Sequence, residues 1–104
     1  MLETNKINSV RMELNDTLFL YKLDDSLAWL FNIENGEHYK LNDSSHFILS
    51  LFDGKKTVDE IQTIYIKKYA NEGVAEPILL KDFNELLDRL MRNNFLNTLK
   101  NKEE

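Results

Sequence analysis

Residues 27–52 run LAWLFNIENGEHYKLNDSSHFILSLF, and the fold turns on how this stretch divides. Leu27 to Ile33 is apolar on nearly both faces of an extended chain, as a central strand should be. Glu34-Asn35-Gly36-Glu37 follows, and Asn-Gly signals a hairpin because both residues tolerate positive φ. His38 to Asn42 then alternates, with Tyr39 and Leu41 on one face and His38 and Lys40 on the other. This third strand is short, polar on one side and expected at a sheet edge. Beyond Asn42 the apolar period becomes helical: Phe47, Ile48, Leu51 and Phe52 form one stripe, and Asn42 or Asp43 can cap it.

Upstream, Leu18 to Leu23 is aromatic and aliphatic, and Asp24-Asp25-Ser26 breaks it with turn residues. The expectation is a three-stranded antiparallel meander. Val10, Met12 and Leu14 also alternate, which suggests an extra strand in the N-terminal segment 1–16. Downstream, Asp53-Gly54 is expected to end the first helix, with Gly54 as a left-handed cap. Thr57-Val58-Asp59-Glu60 is a capping box for a second helix with the stripe Val58, Ile61, Ile64, Tyr65 and Tyr69. Residues 70–77 form a linker, and Pro77 suits the start of a third helix carrying Leu79, Phe83, Leu86, Leu87 and Leu90. That helix should stop near Asn93-Asn94, with Phe95-Leu96 folding back and 97–104 a flexible tail. Three strands followed by three helices make an α+β domain. The two close helices give it a winged-helix-like layout.

Composition narrows the function. The chain has 104 residues, enough for one modest core, and 42% of them are hydrophobic. No apolar run approaches the roughly twenty residues of a spanning helix, and no leader-like segment opens the chain, so a cytoplasmic protein without membrane contact is expected. The absence of cysteine excludes thiolate chemistry and disulfides. A net charge of −5 argues against a general nucleic-acid binder, although Arg89, Arg92, Lys100 and Lys102 make a basic end. His38 and His46 lie on different elements with no third ligand, so no metal is expected. No nucleophile triad, Gly-rich phosphate loop or paired-carboxylate set stands out, so neither catalysis nor a cofactor is expected.

From Ala28 onward the residues carry a family resemblance. Tyr39-x-Leu41-Asn42, Ile48-Leu49, Asp53-Gly54-x-x-Thr57-Val58-x-Glu60-Ile61, Tyr69, Asp82-Phe83-x-x-Leu86-Leu87-x-x-Leu90 and Phe95-Leu96, in this order and spacing, resemble the PqqD-like family. That family is the precursor-peptide recognition element of ribosomally synthesised, post-translationally modified peptide biosynthesis. Three departures stand out. Ser45 and His46 replace the usual small alanines, and Asn94 replaces a usual glycine. The Glu34-Asn35-Gly36 loop lacks the proline-containing turn of members that serve pyrroloquinoline quinone, so the expected precursor is a different modified peptide.

The resemblance implies a non-catalytic adaptor. It would bind the leader of a precursor peptide as an added strand beside the third strand and against the third helix. It would then present the peptide to a maturation enzyme such as a radical S-adenosylmethionine maturase or a leader peptidase. On the edge strand the implied contacts are Glu37, His38, Tyr39, Lys40 and Leu41, with Tyr39 and Leu41 turned toward the core and acting through their backbone. On the helix they are the stripe Phe83, Leu87 and Met91, with Arg89 and Arg92 facing acidic leader residues. Leu86 and Leu90 form a neighbouring stripe, and one of the two stripes must pack on the core. Trp29 and Phe31 share a sheet face that the segment around Val10 to Leu14 either covers or leaves open for a homodimer or an enzyme. The alternative is a winged-helix DNA-binding regulator, whose recognition helix, residues 57–69, would carry Lys67-Lys68 only at its end. A structural interaction module without a peptide ligand is a further rival.

Overall fold

A computed structural model describes residues 9–25 and 27–99. In chain order the elements are β1 (Arg11–Leu14), β2 (Leu18–Asp24), β3 (Leu27–Asn32), β4 (His38–Leu41), α1 (Asp43–Ser50), β5 (Asp53–Thr57), α2 (Val58–Ala70), α3 (Glu76–Arg92) and β6 (Leu96–Leu99). The strands make two three-stranded antiparallel sheets, ordered β2-β3-β4 and β5-β1-β6.

The first sheet is the expected meander. β3 is its centre, with Ala28, Leu30 and Asn32 buried and Leu27, Trp29 and Phe31 half-buried. Gly36 takes φ 77 in the loop to β4, the left-handed conformation that glycine adopts without a Cβ clash. Asn32 supports the loop, its Oδ1 accepting from the Glu34 N–H at 2.9 Å. Ser26, in the expected break between β2 and β3, lies outside the described residues.

The second sheet differs from the sequence expectation in two of its strands. The sequence reading makes Asp53–Lys56 a helix end and a connection and Thr57 a cap, yet Asp53–Thr57 pairs with β1, with Arg11 opposite Thr57 and Glu13 opposite Asp53 across an irregular register. Its residues are polar, so no apolar alternation announced it, and main-chain pairing alone makes the strand. Gly54 does adopt a left-handed φ of 83, but inside β5; α1 ends earlier, at Ser50, capped by Leu51, which is right-handed. Residues 97–99, expected to begin a tail, pair along β1 from Asn97↔Glu13 to Leu99↔Arg11. Residues 100–104 lie outside the described residues. Asn94 has φ 59 at the turn from α3 into β6, the conformation that suits it in a glycine's place.

The helices begin where their caps say. Asn42 Oδ1 accepts from the Ser45 N–H at 2.8 Å, and the Thr57/Glu60 capping box is complete in both directions. Pro77 lies in the first turn of α3. The core joins β1, the inner face of the first sheet and all three helices. Met12, Leu30, Leu49, Val58, Ile61, Tyr65 and Phe83 are its most deeply buried side chains. α3 contributes Leu79, Phe83, Leu86 and Leu90, one stripe at helical spacing. Each such burial contributes roughly 1.5–3 kcal/mol, against about 0–1 kcal/mol for an exposed ion pair such as Lys81–Glu85, so apolar packing holds the fold.

Because Met12 belongs to the core, β1 does not cover the outer face of the first sheet. Phe19, Phe31 and His38 stand in one cross-strand row there, and Tyr21, Trp29 and Lys40 in the next. Phe19 is 51% exposed and Leu23 63%.

Candidate functional site: an open strand edge beside a helix

Among the described residues β4 is an outer strand of its sheet, and α3 lies beside it. The Asn32 N–H donates to the Glu37 carbonyl at 2.9 Å, and the register runs without a shift from Phe31↔His38 to Ala28↔Leu41. In an antiparallel ladder bonded and non-bonded pairs alternate, so Tyr39 and Leu41 bond β3. His38 and Lys40 therefore turn their N–H and C=O groups away from β3, toward the open edge. Side chains alternate as well. Tyr39 and Leu41 face inward, whereas His38 lies on the outer face with its ring 4.5 Å from that of Phe31.

Between β4 and α3 lies a cavity of about 400 Å³. Buried Leu30, Leu49, Leu86 and Leu90 line it together with Tyr39, Leu41, Phe95, Arg89 and Asn93, and His38 and Lys40 border it along the strand, their side chains turned to the outer face. The Tyr39 and Phe95 rings meet at 5.3 Å. The Tyr39 hydroxyl donates a short hydrogen bond to Glu37 Oε1, which raises the phenol above its usual pKa range. Tyr39 and Leu41 thus shape the cavity with their side chains as well as pairing through their backbone.

The expected site residues separate. His38, Tyr39, Lys40, Leu41 and Arg89 line this one cavity, and Glu37 braces it through Tyr39. Phe83 does not line it: it is 1% exposed and stacked on Tyr65. Leu87 and Met91 lie off the cavity, the first half-buried against the core and the second exposed. Arg92 is ion-paired with Asp88 on the outer flank of α3. The stripe that reaches the groove is Leu86, Arg89, Leu90 and Asn93, and Leu86 and Leu90 serve the core and the cavity together. The sequence carried both stripes at equal spacing, and only the sheet's position selects between them.

A smaller polar cavity, about 210 Å³, adjoins the first and shares Leu86 and Arg89 with it. Asn42, Ser44, Ser45, Asp82 and Glu85 line it. Among the described residues no group of three or more His, Asp or Glu side chains could hold a metal ion, and no helix is long and apolar enough to cross a membrane. On α2, Lys68 is 3.6 Å from Glu72 and 5.2 Å from the Phe47 ring centroid, so one of that helix's two terminal lysines is occupied within the fold.

Among the described residues, then, a winged-helix-like domain leaves one strand edge unpaired beside an apolar cavity with Arg89 at its border, the arrangement that strand addition uses. The family model described as Coenzyme PQQ synthesis protein D (PqqD) matches residues 28–96, and the chain belongs to that family. The solved structure of TbiB1 in complex with the TbiA(beta) leader peptide has the same fold, with a TM-score of 0.65 and 19% identity over 86% of this chain and 99% of that one. No curated protein sequence matches the chain.

Proposed function

We propose that the protein is a cytosolic, non-catalytic adaptor that captures the leader of a ribosomal precursor peptide and presents it to a maturation enzyme. The observation that carries this reading is the open edge of β4, where His38 and Lys40 turn backbone groups outward beside the cavity under α3. Unpaired edges invite pairing, and most proteins blunt them. Here an incoming strand gains main-chain hydrogen bonds, and every second side chain can enter the cavity. Family membership supports the reading, and so does the relative whose structure holds a leader peptide. The peptide passes to an enzyme such as a radical S-adenosylmethionine maturase or a leader peptidase.

The test is calorimetric titration of the parent and of Lys40→Pro with synthetic leader peptides of ribosomal precursors. The Lys40 N–H is not used by β3, so proline deletes an outward donor while the β3–β4 bonds remain. The variant is expected to stay folded and to bind at least tenfold more weakly. Unchanged binding by a folded Lys40→Pro variant removes strand addition at this edge.

A further inference from the structure

Arg89 stands at the junction of three surfaces: the apolar cavity, the polar cavity and the outer flank of α3. It forms no ion pair with another described residue. The carboxylates nearest along its helix are engaged elsewhere, Glu85 with Lys81 at 3.9 Å and Asp88 with Arg92. Lys40 likewise forms no ion pair with another described residue, whereas Lys22, Lys56 and Lys68 each hold a carboxylate. Two cations without an ion pair among the described residues therefore flank the edge: α3 brings Arg89 to the cavity, and strand alternation turns the Lys40 side chain to the other face. Arg89 borders the inner, cavity side. Lys40 shares the outer face, in a row with Trp29 and Tyr21.

Resting on the strand-addition reading above, we propose that the groove selects an extended peptide with a large apolar side chain and two carboxylates in a fixed spacing. The apolar side chain fills the cavity over Leu86 and Leu90. One carboxylate lies two residues away, on the same face of the strand, and meets Arg89. The other lies at an odd offset, on the outer face, and pairs across the strands with Lys40. The spacing follows from the two-residue period of a strand, and cross-strand pairs of opposite charge are favourable. The protein's net charge of −5 does not oppose this at contact, because screening limits exposed charges to about 8 Å at physiological salt. The two local cations set the preference.

The test pans a phage-displayed library of random dodecapeptides against the full chain and against Arg89→Glu, Lys40→Glu and Lys40→Pro. The parent is expected to enrich an apolar anchor with Asp or Glu two positions away and again at an odd offset. Arg89→Glu is expected to exchange the first acid for Lys or Arg and keep the second; Lys40→Glu is expected to do the reverse. A selected peptide remade by synthesis is expected to bind Arg89→Gln about two- to fivefold more weakly, the scale of one exposed ion pair. Apolar-anchored peptides without acidic preference, or a preference unmoved by both reversals, overturn the charge rule. Strand addition survives that outcome provided Lys40→Pro abolishes the enrichment. Enrichment that persists in Lys40→Pro, or the absence of any enriched group, overturns strand addition and this inference together.

Discussion

The ring of Tyr39 lies 5.3 Å from that of Phe95, inclined at 59°. Tyr39 belongs to the edge strand, and Phe95 follows the turn out of α3, its N–H donating to the Leu90 carbonyl at 3.0 Å. The contact thus ties the open edge to the end of the helix and closes one end of the cavity between them. Phe95→Ala removes a half-buried ring and is expected to cost about 2 kcal/mol, below the range for a fully buried phenylalanine. Chemical denaturation measures that loss. Leader binding should fall as well, because the cavity opens at that end.

Met12→Ala is expected to destabilise the fold by about 2–4 kcal/mol. Met12 is 2% exposed and is carried by β1, which pairs with both β5 and β6. Thermal unfolding reads the change, since a 100-residue domain shifts by about 4–8 °C per kcal/mol. A loss under 0.5 kcal/mol would show that β1 is an ornament on the domain.

Gly54→Ala is expected to strain the second sheet. A Cβ there would sit 3.0 Å from Leu99 Cδ1 and 3.1 Å from Glu13 Oε1, at a φ of +83. Left-handed backbone alone costs roughly 1–2 kcal/mol for a residue with a Cβ. Amide exchange should quicken first in β5 and β6, while the β3–β4 ladder keeps its protection.

Tyr69 should titrate late. Burial, with Asp43 adding charge and a hydrogen bond at 3.3 Å, pushes its pKa up to about 12, from an ordinary 10.0. The folded state therefore holds this proton more tightly than the unfolded chain does. Its contribution is complete below pH 10 and is lost as the pH rises toward about 12. Tyrosinate absorbance followed against pH is expected to show a late component that Tyr69→Phe reduces, with Tyr39 and Tyr65, also raised, supplying the rest. A variant with the parent's alkaline profile contradicts this.

Much of the architecture was legible in the sequence, and the illegible parts share a cause. The meander showed because the apolar runs Leu18–Leu23 and Leu27–Ile33 and the alternating stretch from His38 are separated by the turn signals Asp24-Asp25 and Asn35-Gly36, and α2 showed because Thr57 and Glu60 form a capping box. β5 was hidden because Asp53-Gly54-Lys55-Lys56 carries no apolar pattern; only its partner β1 makes it a strand. β6 was hidden because Leu96-Asn97-Thr98-Leu99 is too short and polar to separate from a tail. The edge strand and its residues His38 to Leu41 could be named in advance, whereas the groove-facing stripe of α3 could not. Phe83 and Leu87 have the same four-residue spacing as Leu86 and Leu90 on a helix. The rotation of α3 against the sheet is a tertiary fact, and it brings Arg89 to the groove and leaves Arg92 with Asp88.

Residue-resolved amide hydrogen exchange, with and without a saturating leader peptide, tests strand addition most directly. The His38 and Lys40 amides are expected to exchange freely in the unbound protein and to slow sharply when the peptide binds. Tyr39 and Leu41, already bonded to β3, should change little. A bound peptide that leaves His38 and Lys40 exchanging at their free rates, or protects the amides of α2 instead, contradicts the account.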